Sequence, residues 1–252
     1  MIEVRNASKS YGETLVVDDV SITLPAGGVI SLIGANGAGK STLLSMISRL
    51  LPVPAGTVTV EGMDVTTTPG DVLARHLSIL RQDNQMTARL TVRDLIAFGR
   101  YPHSKGRLTV EDQGHIERVI RYLELEAVAH RFLDELSGGQ RQRAFIAMVL
   151  CQDTDYVLLD EPLNNLDVKH AVAMMKLFRR TADEFRKTII LVLHDINFAS
   201  CYSDRIVAMR DGRIAHQGPP EDIITPCVIR DVYGVEADIH EMDGKRVALY
   251  FR

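Results

Sequence analysis

Nine residues, GANGAGKST from Gly34 to Thr42, set three glycines, a lysine and two hydroxyls in the order G-x-x-x-x-G-K-[ST]. Small side chains along Gly34, Ala35, Asn36, Gly37, Ala38 and Gly39 let backbone N–H groups close around phosphate oxygens. A helix starting at their end adds partial positive charge. Lys40 brings a mobile full charge to the β- and γ-phosphates, Ser41 a hydroxyl to Mg²⁺, and Thr42 a second hydroxyl beside it. The alternative is a flexible glycine turn. The apolar run VISLI before the loop and the helix-like TLLSMISRLL after it supply the strand–loop–helix context that a nucleoside triphosphate site requires.

Two further positions carry chemistry. YVLLDE, Tyr156 to Glu161, ends an apolar run in two adjacent acids. In an open α/β sheet, ligands bind beyond the carboxyl ends of the strands, so Asp160 is placed to reach Mg²⁺, directly or through water. Glu161 follows at the next backbone position, where it can orient and deprotonate an attacking water. The competing reading, acids that merely end a strand, loses weight beside the glycine loop. His194 repeats the placement after the run Thr188–Leu193. It can reach a γ-phosphate there, but a lone histidine equally suits a structural or surface role, and spacing does not choose between them. Asp195 stands where it would cap the following segment, INFAS.

The elements that must position these residues follow from periodicity. Short apolar runs lie at Val16–Leu24, Val29–Ile33, Thr57–Val60, Leu77–Leu80, Tyr156–Leu159 and Thr188–Leu193. Most are too short for helices and too apolar for half-exposed strands, which predicts a buried sheet with parallel pairs. Helices are predicted over Ser41–Leu51, Thr91–Gly99 with a Thr cap, Thr109–Leu125 with Glu111 and Asp112 in its first turn, and Val168–Phe185. Strands alternating with helices make the class α/β. From about Leu90 to Ala147 the chain reads as a helical insertion. After Asp211 it returns to short strands and turns.

Composition sets limits. The 252 residues carry 29 Lys+Arg against 33 Asp+Glu, a net charge of −4, with no basic block; this argues against nucleic acid as a partner. Three scattered cysteines, Cys151, Cys201 and Cys227, show neither metal nor redox spacing and suit a reducing compartment. The start MIEVRNASKSYGE lacks signal-peptide features. The longest stretch free of charged side chains, Val20–Gly39, contains Pro25 and the glycine loop, so no membrane span is expected.

LSGGQ, Leu136 to Gln140, brings these pieces together. Ser137 can cap a helix beginning near Gly138, giving a second helix N-terminus open to an anion. With the glycine loop, YVLLDE and His194 in this order, the chain closely resembles the ATP-binding subunits of ABC transporters over essentially residues 1–240. The resemblance implies a P-loop NTPase core with a mostly parallel sheet, an N-terminal antiparallel β region and a helical insertion subdomain. It divides the chain into a core at 1–89 and 152–240, a helical subdomain at 90–151 and a tail at 241–252. It also implies that Tyr11 stacks on adenine and that Gln82 touches Mg²⁺ and the attacking water, with Ser41 and Asp160 as the other metal contacts. His194 senses the γ-phosphate, Leu166 and Asp167 end a loop crossing a dimer interface, and Ser137, Gly138, Gly139 and Gln140 serve the partner's ATP. Two sequence departures stand out: Ala35 where proline is common, and LNN at Leu163–Asn165 where residues like Thr-Ser-Ala are common.

The words TVRDLIAFGRYPHSKGRLT, SGGQRQRAFIAMVL and DEPLNNLDVKHAVAMMK resemble most strongly the ATPases of iron(III)–siderophore importers. The resemblance implies a homodimer hydrolysing ATP with Mg²⁺, peripheral on the cytoplasmic face of a bacterial membrane. Two transmembrane permease subunits and, indirectly, a periplasmic or lipoprotein substrate-binding protein complete such a machine. A haem or cobalamin importer is the nearest alternative. A soluble ABC ATPase acting on nucleic acid or ribosomes is a more distant one.

Overall fold

Side chains alternate across a strand, so a run that is apolar at every position can be satisfied only with both faces covered. The computed structural model, which describes residues 1–82, 88–164 and 166–251, shows this arrangement at the centre of the molecule. In chain order, β1 (Ile2–Tyr11) and β2 (Thr14–Leu24) precede β3 (Gly28–Ile33), which runs through the glycine loop into α1 (Lys40–Ile47). Next come β4 (Ala55–Val60), β5 (Met63–Asp64), α2 (Gly70–Leu73) and β6 (Leu77–Leu80). Four helices follow without a strand among the described residues: α3 (Val92–Phe98), α4 (Tyr101–Ser104), α5 (Val110–Tyr122) and α6 (Gly138–Cys151). Alternation resumes with β7 (Tyr156–Asp160), α7 (Val168–Phe185), β8 (Thr188–Val192), α8 (Ile196–Tyr202), β9 (Arg205–Arg210) and β10 (Arg213–Gly218). Two helices, α9 (Pro220–Ile223) and α10 (Pro226–Tyr233), lead to a closing hairpin of β11 (Asp238–Met242) and β12 (Lys245–Leu249).

The six-stranded sheet has the order β10-β9-β3-β8-β7-β6, parallel at every pair except β10–β9. Val29, Ile33, Val157, Leu159, Ile189 and Leu191 point into one core, which is continuous with α3, α5 and α6. Ile30, Leu32, Tyr156, Leu158, Ile190 and Val192 point into the other, against α1 and the second sheet. That second sheet, β2-β1-β4-β5, is antiparallel throughout. The α/β class, the mostly parallel core, the N-terminal antiparallel region and the helical insertion are all present. No helix among the described residues is long and apolar enough to cross a membrane.

The differences from expectation are local. Val16–Leu24 and Thr57–Val60 belong to the antiparallel sheet, not the parallel one, and pair with β1, which the apolar runs do not announce. The helix expected over Ser41–Leu51 ends at Ile47, because the backbone turns left-handed at Arg49, where φ is 61°. The helix expected over Thr109–Leu125 stops at Tyr122, just before Glu124 at φ 54°. Asn165 of the LNN departure lies outside the described residues.

Candidate nucleotide site

The loop between β3 and α1 is shaped by close backbone approach. At Gly34 φ is 143°, and a Cβ there would lie 2.2 Å from the carbonyl oxygen of Met209 on β9, so only glycine fits. Asn36–Thr42 wall a cleft together with Glu161 and Val16 of β2. Ala38, Gly39 and Lys40 are buried, whereas Ala35, Asn36 and Gly37 face solvent. The Lys40 ammonium donates to the Gly34 and Ala35 carbonyls at 2.8 and 2.9 Å. Burial lowers its pKa, and the neighbouring Glu161 and Asp160 charges oppose that shift.

Strands β7 and β8 deliver the other groups. Their parallel register sets Asp160 beside Val192, so both strands end at the same edge of the sheet as β3. Ser41 Oγ donates to Asp160 Oδ1 at 2.7 Å. Burial pushes the Asp160 carboxyl up, the Ser41 hydroxyl pulls it down, and the adjacent Glu161 charge raises it further. Glu161 turns left-handed at φ 49°, leaving the strand direction immediately after Asp160. Its carboxylate collects three neighbours: Gln82 Nε2 at 2.6 Å on Oε2, Asn164 Nδ2 on the same oxygen, and His194 Nε2 at 2.8 Å on Oε1. Gln82, Ser41, Asp160, Glu161 and His194 thus join the glycine loop in one place.

The remaining predicted residues lie elsewhere. Tyr11 ends β1, half exposed, with the Lys9 ammonium 5.4 Å from its ring centre, and is not part of the cleft wall. Ser137 caps α6 in a reciprocal arrangement: its hydroxyl accepts from Gln140 N–H, and the Gln140 side chain accepts from Ser137 N–H. Asp167 caps α7 by accepting from His170 N–H at 2.8 Å, with Leu166 just before it. No hydrogen bond joins Ser137–Gln140 to the Gly34–Thr42 loop among the described residues. The second helix end is instead closed on itself by the Ser137–Gln140 pair, with open space over Gly138.

Sequence reasoning passed over three groups here. Val16 lacks any chemical signal of its own. Asn164 was visible only as part of the LNN departure. Tyr233, on α10, accepts a hydrogen bond from Gly34 N–H at 3.0 Å across 199 residues of sequence, a separation that no local pattern bridges.

The model of the ABC transporter family matches residues 17–164. The chain belongs to the ABC transporter family. As an ABC ATPase it binds and hydrolyses ATP. It is 51% identical over 251 residues to the petrobactin import ATP-binding protein YclP of Bacillus subtilis (strain 168), covering all of both chains. It is 37% identical over 231 residues to the ferric enterobactin transport ATP-binding protein FepC of Escherichia coli (strain K12), covering 91% of this chain and 85% of that protein. Among solved structures it superimposes on the ATP-binding cassette MJ0796, a dimer in a post-hydrolysis state bound to ADP and Pi. There the TM-score is 0.77 and the identity 26%, over 87% of this chain and 99% of that one.

Proposed function

We propose that this chain is the ATPase subunit of a bacterial importer of iron(III)–siderophore complexes, acting as a homodimer on two membrane permease subunits at the cytoplasmic face. The observation that carries the chemistry is that Lys40, Ser41 and Glu161 wall one cleft, with Asp160 bonded to Ser41 and with Gln82 and His194 both held on the Glu161 carboxylate. The cargo class is supported by full-length similarity to a petrobactin import ATP-binding protein and by similarity to a ferric enterobactin transport ATP-binding protein.

In this reading the Lys40 ammonium leaves the Gly34 and Ala35 carbonyls for the β- and γ-phosphates, while the backbone N–H groups of Gly37–Thr42 close around them. Mg²⁺ suits the donor set, which is made of a hydroxyl, an amide and a buried carboxylate: Ser41, Gln82 and Asp160. When bound, the ion neutralises charge building up on the phosphates. Glu161 takes the proton of the attacking water, Gln82 orients that water, and His194 moves from Glu161 to the γ-phosphate. Tyr11 stacks on the adenine.

Ser137, Gly138, Gly139 and Gln140 complete the site of a second copy, whose own helix end returns the contact. Leu166 and Asp167 cross between the two copies. Residues 1–89 and 152–240 act as the catalytic core, 90–151 as a helical subdomain and 241–252 as a tail. Phe98, Tyr101, Leu108 and Val110 present apolar side chains to solvent, which supports docking of the permease on the helical subdomain.

The test is Glu161→Gln. It should keep ATP affinity, stop turnover and accumulate an ATP-bound dimer, read by sedimentation and phosphate release. Turnover at the parent rate would overturn the assigned base. ATP-dependent siderophore uptake after reconstitution with the permease tests the cargo.

A further inference from the structure

The two glycines at the start of α6 are not equivalent. A Cβ on Gly138 would meet nothing within 4 Å, so that backbone is open to an approaching group. A Cβ on Gly139 would lie 3.3 Å from Cδ2 and 3.5 Å from Cγ of His170. The imidazole of His170, in the first turn of α7, therefore covers Gly139 from inside the same chain. The Nδ1 atom of that ring is 2.7 Å from Asp167 Oδ1, the oxygen that also accepts the His170 N–H. A second tie runs parallel to this one: Gln142 Nε2 donates to the Pro162 carbonyl at 2.9 Å. The start of α6 is thus held against Pro162 on one side and against His170 at the start of α7 on the other.

We propose that His170 is a positioning residue that locks the Asp167 carboxylate to the helix end at Ser137–Gln140, so that both segments meet the partner subunit as one rigid unit. This rests on the head-to-tail dimer proposed above. The His170 and Asp167 side chains are 44% and 65% exposed in the single chain, where water competes for their contact. Covering them with a second subunit removes that competition and strengthens the bond. The effect of His170 therefore belongs to subunit closure, not to capture of ATP by a lone subunit, because its hydrogen bonds run to Asp167 and none among the described residues joins it to the Gly34–Thr42 loop.

The experiment uses the full chain carrying Glu161→Gln, adding His170→Ala or His170→Asn; the latter restores an amide near the position of Nδ1. ATP-dependent dimerisation is measured by sedimentation over a range of protein concentrations. ATP affinity is measured by equilibrium dialysis at concentrations below dimerisation. His170→Ala should weaken the dimer by about tenfold, the loss of one well-placed polar contact, and leave ATP affinity within about twofold. His170→Asn should recover most of the dimerisation. Parent-like dimerisation of His170→Ala would overturn the inference. A parallel fall in ATP affinity, or failure of the Asn variant to improve on Ala, would also do so by reducing His170 to general packing. If the Glu161→Gln parent forms no ATP-dependent dimer, the head-to-tail reading itself fails, and this inference falls with it.

Discussion

Asn164 donates its side-chain amide to Glu161 Oε2, the oxygen that Gln82 Nε2 holds at 2.6 Å. The departure from the family's common residues at this point thus places a donor on the carboxylate proposed as the base. With His194 on the other oxygen, Glu161 has little rotational freedom before substrate arrives. Asn164→Ala removes one tether without touching the phosphate loop. The kcat for ATP hydrolysis should fall about three- to tenfold, with KM within about twofold, since misorientation of a reacting group acts on the chemical step. Steady-state rates across ATP concentrations check this, and an unchanged kcat would detach Asn164 from the reaction.

Tyr233 reaches the same site from the opposite end of the chain. Its hydroxyl accepts the Gly34 N–H at 3.0 Å, and the Gly34 carbonyl accepts the Lys40 ammonium at 2.8 Å. Burial pushes the phenol well above its ordinary range, although the Gly34 N–H pulls the other way, so the hydroxyl stays protonated at neutral pH. Tyr233→Phe keeps the ring and leaves a largely buried N–H without its acceptor, a cost of about 1–3 kcal/mol. Part of that cost should appear as ATP affinity weakened by about fivefold or more, read by titration calorimetry. Parent-like affinity would reduce Tyr233 to packing.

Gly34 and Gly62 give a matched comparison, because both have positive φ, at 143° and 76°. A Cβ at Gly62 meets nothing within 4 Å, whereas at Gly34 it would sit 2.2 Å from the Met209 carbonyl oxygen. Gly62→Ala should cost about 1–2 kcal/mol of backbone strain and keep ATP binding. Gly34→Ala must displace the loop or β9 and should abolish ATP binding. Thermal melts and ATP titrations of the two variants decide it.

The candidate site is legible in the sequence where it depends on short range. Gly34–Thr42, the Asp160–Glu161 pair and the Ser137 cap each lie within a few residues, and a strand end or helix start positions them. The buried parallel strands were readable because burial on both faces makes them apolar at every position. β1 escaped because IEVRNASKSY mixes buried and exposed residues irregularly, with shifts in its pairing with β2. The end of α1 escaped because a left-handed Arg49 leaves no compositional trace. Tyr233 meets Gly34 and His170 meets Gly139 across tertiary contacts, where residue type alone says nothing of direction.

The helical insertion is held by a pair that its sequence does not announce. Arg100 Nε donates to Asp112 Oδ1 at 2.8 Å, and its NH1 donates to the Cys151 carbonyl at 3.0 Å, tying α4, α5 and α6 together. Both side chains are 5% exposed. Burial alone would raise the Asp112 carboxyl, but the Thr109 N–H, the Arg100 guanidinium and the Thr109 hydroxyl outweigh it and hold the pKa at about 2. A folded-state pKa below the unfolded value of about 3.9 means that the ionised form stabilises the fold. That contribution is fully present well above pH 4 and is lost as the pH falls from about 4 to 2. Asp112→Asn leaves Arg100 as a buried unpaired charge and should cost about 3–5 kcal/mol at pH 7. The gap between variant and parent stability should then narrow between pH 4 and 2. Urea unfolding of both proteins at several pH values measures it, and a gap constant across that window would show that Asp112 does not carry the charge.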